Sequence, residues 1–343
     1  MSYTIALNFE DGVSRFIGCK EGETVLDAAY RQKVNLPMDC SDGVCGTCKG
    51  QCVQGDFDLG DEYLEEALSD QEAAEGLVLT CQMVPNSDCV IQVPMASTLC
   101  KTQAGTFEGT VASIEQLSED SIDLVVELDE GTELAFLPGQ YIHIQVPGSD
   151  ETRSYSFSSL PGSKQASFLI RNIPQGVMSG YLTGQAKPGD RLSMTGPMGS
   201  FYLRDIKRPV LMLAGGTGLA PFLSMLEQLI EKSCDQPVHL IYGVNKDDHL
   251  VKCDVLDALK EKLPDFDYTT VVVDEASQHP RKGYVTHHMD AKVLNDGDVD
   301  VYLCGPPPMV DAVLRYFDDQ GIAPQSFHYE KFTPNLTKQE GVA

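Results

Sequence analysis

The chain contains no run of eighteen apolar residues, so none of its 343 residues is expected to form a membrane-crossing helix. It is poor in basic residues, with 25 Lys and Arg against 51 Asp and Glu, for a formal charge of −26. A surface this acidic repels nucleic acid and anionic lipid, which argues against both as partners. The start, MSYTIALNFEDG, lacks a basic stretch leading into an apolar one, so no secretory signal is expected. Internal repeats and low-complexity tracts are missing too. Cysteine, by contrast, is plentiful. Eleven of them without an export signal point to a reducing, cytoplasmic compartment, where clusters and reactive thiols are commoner than disulfides. An apolar content of 42% with 22% charged residues is that of a core-forming protein, and the length suits two or three domains.

The pattern changes twice along the chain. Residues 1–96 alternate as a small α+β unit. TIALNF and SRFIGC predict a hairpin around Glu10–Gly12, TVLDAAYRQKV a helix capped by Thr24, and CVIQVP a closing strand. Residues 97–106 are small and polar and predict a linker. Residues 107–205 hold strand-like runs, FEGTVASIEQL, SIDLVVEL, GQYIHIQV, RSYSFSS and SFLIRNI, split by turn residues at regular spacing, which predicts an antiparallel β-barrel. From residue 206 to 335, apolar runs such as PVLMLAGG and VDVYLCG alternate with amphipathic stretches such as APFLSMLEQLIEK. That alternation predicts a doubly wound parallel sheet, followed by a tail at 336–343. The acidity is concentrated early: residues 1–98 carry 17 Asp and Glu against 5 Lys and Arg. Such a field keeps a protein soluble and can also steer a basic partner.

Four cysteines carry the first chemical signal. Cys40, Cys45 and Cys48 are spaced C-x4-C-x2-C, and Cys81 follows after a gap of 32 residues, the spacing of plant-type [2Fe–2S] sites. Gly43 and Gly46 give the loop the backbone freedom to wrap three thiolates around one edge of a cluster. Zinc is the rival ligand, but structural zinc sites come as two short knuckles, and here Cys81 stands alone with no nearby histidine. Cys52 completes a fragment like part of a four-iron motif without its proline. Cys19, Cys52, Cys89 and Cys100 suit packing roles.

Five further motifs point to bound nucleotides. In RSYSFSS, Arg153 suits a pyrophosphate, Tyr155 a flat ring, and Ser156 a ring nitrogen, with Arg153 and Tyr155 on one strand face. Taken alone this is also an ordinary strand. PQGVMS places Gly176 before a short helix whose N–H groups, with Ser179, suit a phosphate, although turn-to-helix junctions of this kind are common. AGGTGLAP departs from the G-x-G-x-x-G fingerprint, yet Gly216 and Gly218 still leave bare backbone at a helix start. YLCGPPPM ends a buried strand at the sheet edge where ligands bind, putting Cys304 either beside a nicotinamide or in plain packing. In YGVNKDDHLV, one lysine beside Asp247 and Asp248 favours a free ribose diol over a 2′-phosphate, hence NADH, with a solvated Asp247 as the bland alternative.

Taken in order, Cys40-x4-Cys45-x2-Cys48…Cys81, Arg153-Ser-Tyr155-Ser156, Gly215-Gly-Thr-Gly218 and Cys304-Gly-Pro-Pro resemble the ferredoxin–NADP reductase superfamily with a fused N-terminal ferredoxin. More narrowly, the chain is similar to the one-component reductases of bacterial ring-hydroxylating dioxygenases, over nearly all its length. The resemblance implies a β-grasp ferredoxin, a flavin-binding barrel and a nucleotide domain. It implies Arg153, Tyr155, Ser156, Gly176, Met178 and Ser179 as FAD residues, with Phe332 covering the flavin although eleven residues follow it here. Gly216, Thr217, Gly218, Asp247, Cys304 and Gly305 would meet NADH, and Ser156, Cys304 and Glu330 would border the reacting centre. It further implies electron flow from NADH through FAD and the [2Fe–2S] cluster to a Rieske-type terminal oxygenase. The alternatives are a different client, such as an anthranilate or toluate dioxygenase or a di-iron hydroxylase, a non-catalytic redox sensor, and a zinc-stabilised interaction module.

Overall fold

The computed structural model describes residues 2–32, 34–38, 43–44, 46–60, 63–65, 67–97, 100, 105–132 and 134–332. The expected tail at 336–343 and most of the expected linker lie outside them. The chain divides into two compact units, Met1–Thr106 with Thr195–Ser200, and Phe107–Met194 with Phe201–Ala343.

The first unit is a β-grasp built from β1 (Ser2–Phe9), β2 (Ser14–Lys20), α1 (Val25–Arg31), β3 (Lys49–Gln54), β4 (Phe57–Asp58), α2 (Asp70–Ala74), β5 (Leu77–Leu79), β6 (Val84–Pro85) and β7 (Cys89–Val93). Its main sheet runs β2-β1-β7-β3-β5, with β1 antiparallel to β2 and parallel to β7, while β4 and β6 pair separately. In β1 the alternation is the reason for the strand: Ile5, Leu7 and Phe9 are buried while the residues between them are not. Helix α1 starts where Thr24 accepts a hydrogen bond from the Asp27 N–H at 3.2 Å, a cap worth about 1 kcal/mol.

The second unit opens with most of β8 (Gly105–Gln116), then β9 (Ser121–Leu128), β10 (Tyr141–Gln145), β11 (Thr152–Ser156), β12 (Gln165–Arg171), α3 (Val177–Gly184) and the first half of β13 (Arg191–Met198). These strands form one sheet in the order β11-β10-β13-β8-β9-β12. An antiparallel bridge between Phe157 and Phe168 joins its two ends into a barrel. A register shift between Val111 and Ser113 bends β8, as bulges do where a sheet must curl. Phe136, Phe157 and Phe168 fill the barrel, the first two stacked 3.8 Å apart.

The same unit continues with β14 (Val210–Gly215), α4 (Ala220–Glu231), β15 (Val238–Val244), α5 (Cys253–Lys262), β16 (Phe266–Val272), α6 (Ala291–Leu294), β17 (Asp300–Gly305), α7 (Pro307–Gln320) and β18 (Ser326–Lys331). Every neighbouring pair in the order β16-β15-β14-β17-β18 is parallel. The chain therefore reverses direction of growth between β14 and β17, the switch point where such sheets leave a crevice at their carboxyl ends. All six residues of β17 are buried, as a strand covered on both faces requires. Among the described residues no helix is long and apolar enough to cross a membrane.

Candidate functional site

The cysteine loop is positioned by β3 and β5. Cys48 immediately precedes β3, and Cys81 lies two residues beyond β5, its strand partner in an antiparallel pair. Their sulfurs stand 3.2 Å apart, and both residues are buried. That is too far for a disulfide bond of about 2.05 Å and near the roughly 3.8 Å between two thiolates sharing one tetrahedral ion. Gly43 and Gly46 hold φ of +73° and +71°, a left-handed backbone that L side chains rarely adopt. At Gly46 an added Cβ would also stand 3.1 Å from the Ala67 carbonyl oxygen. Buried paired sulfur donors beside a glycine-wrapped loop fit a metal–sulfur group. The remaining expected ligands, Cys40 and Cys45, lie outside the described residues.

The second locus forms where the barrel meets the carboxyl edge of the parallel sheet. Register pairs Cys304 of β17 with Glu330 of β18, so these two face the same crevice. Ser156 arrives from the end of β11, and its hydroxyl donates to Glu330 Oε2 at 3.1 Å. The Cys304 thiol donates to the same oxygen at 3.9 Å. All three are buried, at 4%, 0% and 6% exposure. Burial pushes the Cys304 thiol well up, and the nearby Glu330 carboxylate adds to it, so the sulfur stays protonated. A buried hydroxyl, thiol and carboxylate thus meet within hydrogen-bond reach, although 174 residues separate Ser156 from Glu330.

The other residues expected to hold a flavin lie on β11, at the start of α3 and just after β18. Tyr155 packs half-buried against the barrel core, and burial pushes its phenol up. Arg153 and Tyr155 face Ile144 and Ile142 across the β10–β11 pair. The Arg153 guanidinium is held by Glu151 Oε2 at 2.5 Å and by the Thr152 carbonyl at 2.8 Å. Nothing in the sequence motif marks Glu151 except its place two residues before Arg153, just ahead of β11. Ser179 is spent locally: it accepts from the Ile173 N–H at 2.9 Å and donates to the Arg171 carbonyl at 3.3 Å. Met178 is core. Gly176 allows a close turn, since a Cβ there would lie 3.0 Å from the Ile173 carbonyl oxygen. Phe332 donates its N–H to the Gly305 carbonyl at 3.0 Å and packs against the sheet core.

The nucleotide loop follows β14. Gly216 has φ of +55° and open space where a Cβ would project, whereas a Cβ on Gly218 would sit 2.3 Å from the Cys304 carbonyl oxygen. One glycine therefore leaves room for a ligand and the other lets the turn press against β17. Thr217 is buried between them. Gly305 is confined by Met309, whose sulfur would be 2.8 Å from its Cβ. Asp247 lies in the turn after β15 and accepts from the Ser277 hydroxyl at 2.7 Å. Ser277, buried and thirty residues away, had no signal in the sequence. The open glycine backbone at the switch point fits a dinucleotide, and the half-buried Tyr155 ring next in sequence to Ser156 fits a flavin ring.

Comparison with known proteins agrees with this arrangement. The 2Fe-2S iron-sulfur cluster binding domain family matches residues 8–86, the oxidoreductase FAD-binding domain family residues 108–202, and the oxidoreductase NAD-binding domain family residues 212–315. The metal group of the cysteine loop is thus a [2Fe–2S] cluster and not zinc, with FAD and NAD as the other cofactors. The chain is 55% identical over 332 residues to the toluate 1,2-dioxygenase electron transfer component of Pseudomonas putida, covering 97% of this chain and 99% of the relative. It is 47% identical over 338 residues to the 2-halobenzoate 1,2-dioxygenase electron transfer component of Burkholderia cepacia, covering 98% and 99%. Its structure is similar to a cytochrome P450 reductase of Amycolatopsis, with a TM-score of 0.75 at 31% identity over 96% of this chain and 99% of that one. The chain belongs to the family of dioxygenase electron transfer components, oxidoreductases that join a 2Fe-2S domain to FAD-binding and NAD-binding domains.

Proposed function

We propose that this chain is the cytoplasmic NADH-dependent reductase of a benzoate 1,2-dioxygenase system, delivering electrons to a Rieske-type terminal oxygenase. The observation that carries the reductase reading is the meeting of Ser156, Cys304 and Glu330 where the barrel joins the carboxyl edge of the sheet. Benzoate is favoured because the relatives at 55% and 47% identity are named for toluate and 2-halobenzoate, both substituted benzoates.

In this reading residues 1–96 are the ferredoxin domain, 107–205 the flavin domain and 206–335 the nucleotide domain. Cys40, Cys45, Cys48 and Cys81 hold the cluster. Arg153, Tyr155, Ser156, Gly176, Met178, Ser179 and Phe332 hold FAD, and Gly216, Thr217, Gly218, Asp247, Cys304 and Gly305 hold NADH. Bound there, these groups supply two-electron oxidation of a nicotinamide and one-electron delivery to a protein acceptor. The chain's own residues orient and enclose. The Ser156 hydroxyl donates a hydrogen bond to Glu330 Oε2 and so ties the carboxylate to the barrel strand. Cys304, protonated by burial, presents a neutral, polarisable wall at the end of β17. The burial of all three keeps water from that edge.

Two measurements test this. With purified terminal oxygenases for benzoate, toluate and anthranilate as acceptors, kcat/KM for this chain should be greatest with the benzoate oxygenase, by about tenfold. An equal or higher value with the anthranilate oxygenase rejects benzoate as the partner's substrate. Cys304→Ala should slow flavin reduction by NADH about tenfold in stopped flow while FAD occupancy is kept. Unchanged kinetics would return Cys304 to ordinary packing.

A further inference from the structure

His249 ends the turn after β15, and its side chain is only 9% exposed. Neither of its ring nitrogens has a hydrogen-bond partner among the described residues. An imidazole buried in that state is costly, because water has been stripped from both nitrogens without replacement. What surrounds it is acidic. Nδ1 stands 3.1 Å from Asp120 Oδ2 and Nε2 stands 3.8 Å from Asp248 Oδ1, contacts that are close but out of hydrogen-bond alignment. Ligand atoms of Glu119, Asp248 and His249 all lie within 4.8 Å of one another. Asp120 is itself fixed, its Oδ1 accepting from the hydroxyls of Ser118 at 2.9 Å and Ser121 at 3.0 Å.

We propose that Glu119, Asp248 and His249 Nε2 form a site for a divalent transition-metal cation, with Asp120 as the outer carboxylate on Nδ1. The donor set decides the class of ion. One imidazole nitrogen with two carboxylates, and no thiolate, suits Mn²⁺ or Zn²⁺ better than Ca²⁺ or Mg²⁺, which take oxygen alone. A carboxylate on the far nitrogen of a metal-bound histidine fixes its tautomer and raises its basicity. Ligand atoms on such an ion stand roughly 3–4.4 Å apart, so the group needs only a small closure. Glu119 and Asp248, with side chains 74% and 66% exposed, are free to make it. Lys246 reaches Glu119 Oε2 from 3.5 Å, an exposed contact of little strength that a divalent ion displaces. The site joins the β8–β9 turn of the barrel to the turn of the parallel sheet that carries Asp247, so an ion there clamps the two turns together.

The test is a Mn²⁺ titration of the full-length oxidised protein, with FAD and cluster in place, after dialysis against a chelator and then buffer. Loss of the free Mn²⁺ electron-resonance signal reads binding, and excess Mg²⁺ suppresses diffuse binding by the acidic surface. One Mn²⁺ per chain is expected, with affinity lowered at least about tenfold in Glu119→Gln, Asp248→Asn and His249→Gln, and about tenfold in Asp120→Asn. The exposed Glu119 and Asp248 variants leave the core untouched and keep the test valid if His249→Gln folds poorly. Superimposable titrations of the wild type and the two exposed variants overturn the proposal, as does binding that Mg²⁺ removes entirely.

Discussion

Cys81→Ser is expected to lower electron delivery to a one-electron protein acceptor by more than about 100-fold, while NADH–ferricyanide activity stays within about twofold of wild type. The reason lies in what the sulfur does. Cys81 is buried with its Sγ 3.2 Å from that of Cys48, and a serine hydroxyl there is a poor ligand for iron at neutral pH. The variant should therefore lose iron and the broad visible absorption of the cluster, with flavin bands kept. Ferricyanide draws its electrons from the reduced flavin and needs no cluster. Cys19→Ser is the matched control. Cys19 is also fully buried, but its thiol is pushed up to about 11 by burial and donates to the Glu23 carbonyl at 3.2 Å, a packing role. Its replacement should leave the iron content unchanged. Equal loss of both activities in Cys81→Ser would break the division of work between the cluster and flavin domains, and a full iron content would break the ligand assignment.

Much of this was legible in the sequence, and the gaps have physical reasons. The hairpin around residues 10–12, the five barrel strands and the parallel sheet carry period-2 alternation or unbroken apolar runs, and the Thr24 cap shows as a threonine just before a helical pattern. Strand β13 was not named, since Gly196 and Pro197 interrupt its pattern. Strand β18, SFHYEK, is only weakly marked: Phe327 and Tyr329 alternate with polar neighbours over just six residues, and its one buried residue is the charged Glu330. That weak signal matters for the site. Glu330 came from family resemblance alone, and only the pairing of β18 with β17 explains why it meets Cys304. Helix α2 shows the opposite case: Ser69 and Glu72 form a capping box that the sequence displays but five residues are too few to carry a periodic face. Cluster spacing is local and was readable. The contacts of Ser156 with Glu330 and of Asp247 with Ser277 are set by topology, which spacing does not encode.

The same topology makes Gly218→Ala the most damaging single methyl in the nucleotide half. Gly218 is not among the residues with left-handed backbone, so the cost is steric and not conformational. A Cβ there would stand 2.3 Å from the Cys304 carbonyl oxygen, 2.8 Å from its carbon and 3.1 Å from the Gly305 nitrogen. Those atoms belong to β17, held between β14 and β18, and cannot retreat. The turn at 216–219 must move instead, at an overpacking cost of about 1–3 kcal/mol. We expect a fall in Tm of several degrees and a loss of about 100-fold in kcat/KM for NADH–ferricyanide turnover, with FAD retained. The cluster in the first unit should still be reduced by dithionite. Gly216→Ala separates the two effects. Its added methyl meets no atom within 4 Å, so beyond the left-handed strain at φ +55°, about 1 kcal/mol, the fold is spared. That methyl would project into the space proposed for the dinucleotide and should raise KM for NADH with little change in Tm. If Gly218→Ala left both Tm and turnover unchanged, the end of β17 would be free to yield, and the close approach of the glycine turn to Cys304 would lose its role in shaping the site.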